Sequence, residues 1–169
     1  QDHIANPDEE VTIIDTVNYS SLKPDNTYKV SGILMNATTG QPLMVDGQQV
    51  TAEKTFVATA VNGTINIEFT FDASALEGTR VVVFEDLYEN GIKVATHSDI
   101  NDMGQSVDFP KTGTVATDKE TGEHKIGTDE VATIIDTVSY TNLLAGKEYT
   151  IKGVLMDKST EEPLLTYEG

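Results

Sequence analysis

Apolar and polar residues alternate with a period of two along most of this chain. Ile65, Ile67, Phe69 and Phe71 alternate with Thr64, Asn66, Glu68 and Thr70, which gives a strand one buried face and one wet face. Similar β-branched and aromatic runs recur between turn residues, and no stretch of helical length has helical periodicity. The pattern predicts strands at Val11 to Tyr19, Thr27 to Met35, Val50 to Ala58, Thr64 to Phe71, Arg80 to Tyr88, Ile92 to Ser98 and Gln105 to Phe109. Turns are expected at Pro24-Asp25-Asn26, Thr39-Gly40, Asp46-Gly47, Asn62-Gly63 and Asn90-Gly91, with a single helical turn over Ala73 to Leu76. Strands at this spacing point to an all-β, Ig-like sandwich.

The pattern also repeats itself. Thr12 to Met44 aligns without a gap on Thr133 to Leu165, at an offset of 121 residues and with 15 of 33 positions identical, among them Tyr28/Tyr149, Gly32/Gly153 and Pro42/Pro163. A period this long is a whole domain, so the chain reads as one module at 1-109, a linker and start of the next repeat at 110-128, and a truncated second repeat at 129-169. Phe109-Pro110-Lys111-Thr112-Gly113 looks like a sortase sorting motif. No apolar span and basic tail follow it, so it reads as an internal look-alike.

Composition narrows the function classes. A net charge of −17 repels phosphate backbones and anionic lipid, which argues against nucleic acid and peripheral membrane as partners. With no cysteine, any unusual robustness must come from packing or another covalent device. The apolar runs are strand-sized, and no signal peptide or membrane span is expected in this segment. No catalytic or cofactor fingerprint appears, so turnover of a diffusible substrate has no support and no cofactor is expected.

Alternation then identifies polar residues on apolar faces. Asp15 shares a face with Ile13, Val17 and Tyr19; Glu85 shares one with Val81, Val83 and Leu87; Gln105 shares one with Val107 and Phe109. Asp136 repeats the Asp15 arrangement among Ile134, Val138 and Tyr140. A buried carboxylate without a cation is costly and tends to hold a proton, and two facing carboxyl groups would share one and polarise a neighbouring amide. The bland alternative sets both groups at strand ends near solvent, or bonded to turn amides. His97 lies in an acidic stretch able to orient an imidazole, although a lone histidine is more often structural. His3 and His124 are equivalent positions, expected to be solvated. Asp99 to Gly104 superficially suggests a calcium loop, but Met103 occupies a ligand position and Pro110 stands where the closing Glu is needed, so no metal is expected.

Four ordered motifs make the resemblance specific: Asp15-Thr16-Val17-x-Tyr19-x-x-Leu22, Tyr28-x-Val30-x-Gly32-x-Leu34-Met35, Val83 to Tyr88, and His97-x-Asp99-x-Asn101-Asp102-x-x-Gln105-Ser106-Val107. Together they resemble the VaFE-type repeats of Gram-positive surface adhesins, which are similar to Ig-like (CnaB-like) modules carrying a Thr-Gln ester cross-link. The resemblance implies that a Thr hydroxyl attacks Gln105, that His97 transfers the proton, and that Asp15 and Glu85 polarise the amide. The reacting Thr of that family precedes the Asp-Thr-Val motif by about twenty residues, which matches Thr114 ahead of Asp136. Counting back by 121 puts the first repeat's own Thr before Gln1, so donor and acceptor fall in different copies. Thr12 or Thr16 standing in, or Thr114 of one molecule reaching Gln105 of another, are the two ways around this. The expected role is a stalk module of an extracellular, cell-wall-anchored surface protein of a Gram-positive bacterium, with single-turnover self-cross-linking as its only chemistry. Its partners would be neighbouring repeats, with intermolecular strand pairing and an unknown host ligand as further contacts. A host-ligand-binding Ig-like module and a Lys-Asn isopeptide domain are the rivals.

Overall fold

The computed structural model describes residues 3-127 and 131-164. In chain order the strands are β1 (Val11–Tyr19), β2 (Thr27–Asn36), the short β3 (Gln41–Pro42), β4 (Met44–Val45) and β5 (Gln48–Gln49), then β6 (Thr51–Val57) and β7 (Gly63–Phe71). They are followed by β8 (Arg80–Glu89), β9 (Ile92–His97), β10 (Ser106–Asp108), β11 (Lys111–Asp118) and β12 (Ile134–Thr141). Antiparallel β1 and β7 form one layer. In the other, β2 pairs with β6 and β3 on one edge and with β8 on the other. The far edge of β8 carries β10 opposite Arg80 to Val82 and β9 opposite Glu85 to Glu89.

The alternating faces build the core of this all-β sandwich. Ile13, Ile67, Phe69 and Phe71 from one layer meet Val30, Leu34, Val81, Val83 and Phe109 from the other. Gly32 sets how closely the layers approach, because a Cβ there would lie 2.6 Å from both Ile67 Cδ1 and Phe69 Cζ. Asn90 (φ 51) and Gly91 (φ 79), like Asp46 (φ 51) and Gly47 (φ 76), adopt the left-handed conformations that two-residue hairpin turns require.

Differences from the sequence pattern are local. Ala73 to Leu76 forms a turn closed by Leu76 N–H donating to Ala73 O (2.9 Å), not a helix. Gln105 leaves the last strand and ends a 3₁₀ turn, Met103–Gln105, capped by the Asp102 side chain. His3 is half-buried, with Nδ1 2.7 Å from Ser106 O, because residues 3-5 run along β10 and cover it.

The segment expected to be a linker contains β11, which pairs with β12 from Lys111 opposite Thr141 to Asp118 opposite Ile134. Beyond β12 the repeat persists in the turns. Tyr28 OH accepts from Lys23 N–H and Tyr149 OH from Leu144 N–H, both at 3.0 Å. Leu43 N–H donates to Leu34 O, and Leu164 N–H to Leu155 O. Residues 149-155, equivalent to the body of β2, nevertheless form no strand. Their counterparts in β2 are held between β6 and β8, and nothing equivalent to those neighbours flanks 149-155 among the described residues.

Candidate functional site

Three elements bring the inward polar residues together. Asp15 comes from β1, opposite Ile67; Glu85 comes from β8, between Gly32 of β2 and His97 of β9; Gln105 comes from the turn before β10. Gly32, opposite Glu85 on β2, leaves the space beside the pair to Ile67 and Phe69. Asp15 and Glu85 are only 5% and 6% exposed, so the inward reading holds for both and the strand-end alternative does not. Gln105 is half-buried rather than buried, because its turn opens onto a groove.

The Gln105 carboxamide bridges the carboxyl pair. With its NH₂ turned toward them it donates to Asp15 Oδ1 at 2.8 Å and to Glu85 Oε1 at 3.3 Å. Burial, reinforced by the Asp15 carboxyl against it and by the nearby Asp102 charge, pushes Glu85 up to about 9. A protonated Glu85 is a donor, hydrogen-bonded to the Asp15 carboxyl; with the amide turned the other way, its carbonyl oxygen would face the same pair. In that second orientation a carboxyl proton of the pair would reach the amide carbonyl and raise its electrophilicity. Asp15 Oδ2 is buried and has no hydrogen-bond partner among the described residues.

His97 is held from both sides. Its Nδ1 lies 3.3 Å from Glu85 Oε2 and its Nε2 3.1 Å from Asp102 Oδ2, while nearly half of the side chain remains in solvent. Asp102 was not singled out by the sequence reading as part of this site. The available signal was its spacing: five residues after His97 and three before Gln105, it caps the turn that presents the amide. Its Oδ1 accepts from Gly104 N–H at 2.7 Å while Oδ2 faces the imidazole, so one carboxylate positions both groups. Asp99 is likewise committed to its own turn, accepting from Asn101 N–H.

The expected second-copy residues do not join this cluster. Thr114 pairs with Val138 and is exposed; Asp136 pairs with Ala116 and is exposed, so the expectation that it points inward is corrected, since no opposing layer covers that face among the described residues. Nor does Thr12 or Thr16 stand in as the nucleophile. Thr12 Oγ1 bonds Thr70 Oγ1 at 2.9 Å on the wet face, and alternation puts Thr16 on that same face, opposite Asn66. Thr96, on the groove wall, bonds Asp86.

A groove of about 610 Å³ runs from Gln105 and Glu85 between the end of β1 (Val17 to Tyr19) and β9 (Val94 to His97). Among the described residues, β7 is the only strand paired with β1.

A family model for the T-Q ester bond containing domain matches the chain twice, over residues 1-109 and 110-166. Two solved structures of a bacterial adhesin from Mobiluncus mulieris, containing intramolecular disulfide, isopeptide and ester bond cross-links, share the fold. Their TM-scores are 0.55 and 0.54 at 13% identity, over 82% of this chain and 71% of the adhesin chain. No curated protein matches the sequence.

Proposed function

Because the chain belongs to the family of T-Q ester bond containing domains, we propose that it is a structural module of a bacterial surface adhesin whose one reaction is the self-made ester. The observation that carries this reading is the Gln105 amide seated on the buried Asp15–Glu85 pair, with His97 beside it. A protein that only needed stability would not bury two carboxyl groups without a cation, since each costs several kcal/mol unless it is protonated or paired.

The chemistry follows from the positions. A Thr hydroxyl is a poor nucleophile and a carboxamide a poor electrophile, so one needs a base and the other an acid. Protonated Glu85, with Asp15, polarises the Gln105 carbonyl; His97, held by Asp102, takes the hydroxyl proton as oxygen attacks Cδ. Collapse of the tetrahedral adduct breaks the Cδ–N bond, and His97 returns the proton to the leaving nitrogen. One C–O bond replaces one C–N bond, and ammonia departs. Alignment by a folded sandwich supplies the effective concentration that free reactants lack. The enzyme-like step happens once per site, with no turnover.

An ester joining the first and last strands of a sandwich stops them peeling apart under load, which suits a cysteine-free shaft. The adhesin-like fold supports a surface location and a load-bearing role, and attachment to a Gram-positive wall belongs to the same proposal. The test is a chain extended upstream to include the first copy's threonine. Its intact mass is expected to fall short by one ammonia and to return to the full value in Gln105→Ala. A full mass in the extended chain overturns the ester reading.

A further inference from the structure

We propose that Arg80 is a positioning residue for the ester reaction: its guanidinium ties both ends of the segment that carries Gln105 to the strand that carries Glu85. The inference rests on the ester reading above and adds to it a residue that touches none of the reacting atoms.

Gln105 lies outside the ladder. β8 and β10 pair only over Arg80 to Val82 and Ser106 to Asp108, and the carboxamide is presented by the 3₁₀ turn just before. Asp102 caps that turn through Gly104 N–H, and its carbonyl accepts from Gln105 N–H at 3.2 Å and from Ser106 Oγ at 2.6 Å. These bonds shape the turn. What fixes it against β8 is a three-residue ladder and one side chain.

That side chain is Arg80. Its Nε and Nη2 donate to Asp108 Oδ1 and Oδ2, both at 2.9 Å, and its Nη1 donates to Met103 Sδ at 3.3 Å. Met103 and Asp108 bracket Gln105, two residues before it and three after. A guanidinium is planar with its donors in a fixed fork, so a carboxylate gripped on one edge sets where the other edge lies. The grip is anchored at the acid, whose side chain is 2% exposed against 35% for Arg80. Asp108 N–H donates to His3 O at 2.8 Å, Ala5 N–H donates to Asp108 O at 3.0 Å, and His3 Nδ1 lies 2.7 Å from Ser106 O. The segment is thus held on both edges, by β8 and Arg80 on one and by residues 3-5 on the other.

Arg80 and Glu85 stand on opposite faces of one strand, so the carboxyl group and the amide that meets it share a rigid reference. The distances at stake are those from the amide nitrogen, 2.8 Å to Asp15 Oδ1 and 3.3 Å to Glu85 Oε1. A misplacement of about 1 Å costs on the order of a hundredfold in rate. An ion pair serving stability alone needs no third contact to the turn.

The test separates rate from stability. In the upstream-extended chain, Arg80→Met is expected to slow the first-order loss of ammonia by at least about tenfold at temperatures where it is fully folded. The factor should be the same at every pH, since His97 and the carboxyl pair are unaltered. Arg80→Lys keeps a charge beside buried Asp108 but loses the fork, and should be slowed by at least about fivefold. Arg80→Met with Asp108→Leu removes the ion pair together with its desolvation cost; its melting temperature should return toward the parent's while its rate stays low. Lys29→Met, which removes the ion pair with Glu53, should leave the rate unchanged. In the chain as it stands, the Gln105 side-chain amide should give NMR signals displaced from random-coil positions, and Arg80→Met and Arg80→Lys should move them back toward those positions. A folded double variant that reacts within about twofold of the parent overturns the proposal, as does a Gln105 amide whose signals do not move. If the extended parent loses no ammonia, the ester reading fails, while the amide signals still decide whether Arg80 places Gln105 on the carboxyl pair.

Discussion

Glu85 is the buried carboxyl group whose titration gives the proposed site a measurable signature. Its carboxyl group is held protonated by burial and by Asp15, up to about 9 against an ordinary 4.5. The folded state then binds a proton that the unfolded state has released throughout the interval between those values. Stability from this group is complete below about pH 4.5 and is lost as pH rises toward 9. Thermal unfolding of the unlinked protein from pH 5 to 9 should therefore show a decline, which Glu85→Gln flattens by more than about 1.4 kcal/mol, the value of a single pKa unit. An unchanged slope in the variant would show that Glu85 is ionised in the folded protein. Period-two alternation made Asp15 and Glu85 legible in the sequence, because each interrupts an otherwise apolar face. Asp108 was not legible. It falls on the opposite face from Val107 and Phe109, yet it is 1% exposed, covered by residues 3-5 and paired with Arg80 through two 2.9 Å hydrogen bonds. Nothing in local periodicity announces a second segment lying over a strand.

Whole elements show how strongly a strand depends on its neighbours. Tyr28-x-Val30-x-Gly32 lies in a ten-residue strand, while Tyr149-x-Ile151-x-Gly153 lies in none, although the residue types and the flanking turns agree. What differs is the presence of a β6 and a β8 to complete the ladder, so β-propensity here reports the fit to a sheet and not an intrinsic preference. The same contrast yields a paired experiment. Gly32→Ala forces a methyl to within 2.6 Å of Ile67 and Phe69 side-chain atoms, and should destabilise the first unit by about 1–3 kcal/mol in denaturant unfolding. Gly153→Ala, at the equivalent position, meets nothing within 4 Å and should leave that transition where it was. Equal effects at both sites would mean that the second repeat has built the same packed interface. Turn chemistry was the most readable part of the fold: Asn90-Gly91 and Asp46-Gly47 stand where the pattern placed them, and both adopt left-handed backbone. Strands β3 to β5 were missed, being two residues each and too short to alternate.

At the scale of the molecule, one unit has two packed layers and the other shows a single ribbon followed by turns. Hydrogen exchange should separate them by several orders of magnitude. Amides of Val30 to Leu34, bonded between neighbours on both sides, are expected to exchange with the slowest class, and those of Ile151 to Leu155 within the fastest. Comparable protection in both segments would show that 149-155 is held in a sheet. The repeat was plain from 15 identities in 33 positions, but the sequence placed a linker where a strand stands, because Thr, Gly and Lys read as loop composition. That strand has a mechanical corollary. Phe109 is fully buried in the core of the first unit and Lys111 already opens a strand of the second, which leaves Pro110 alone between them. A joint of one residue, with its φ fixed by the pyrrolidine ring, has almost no torsional slack. Bending between the two units is therefore confined to Pro110 ψ and to the strands that flank it.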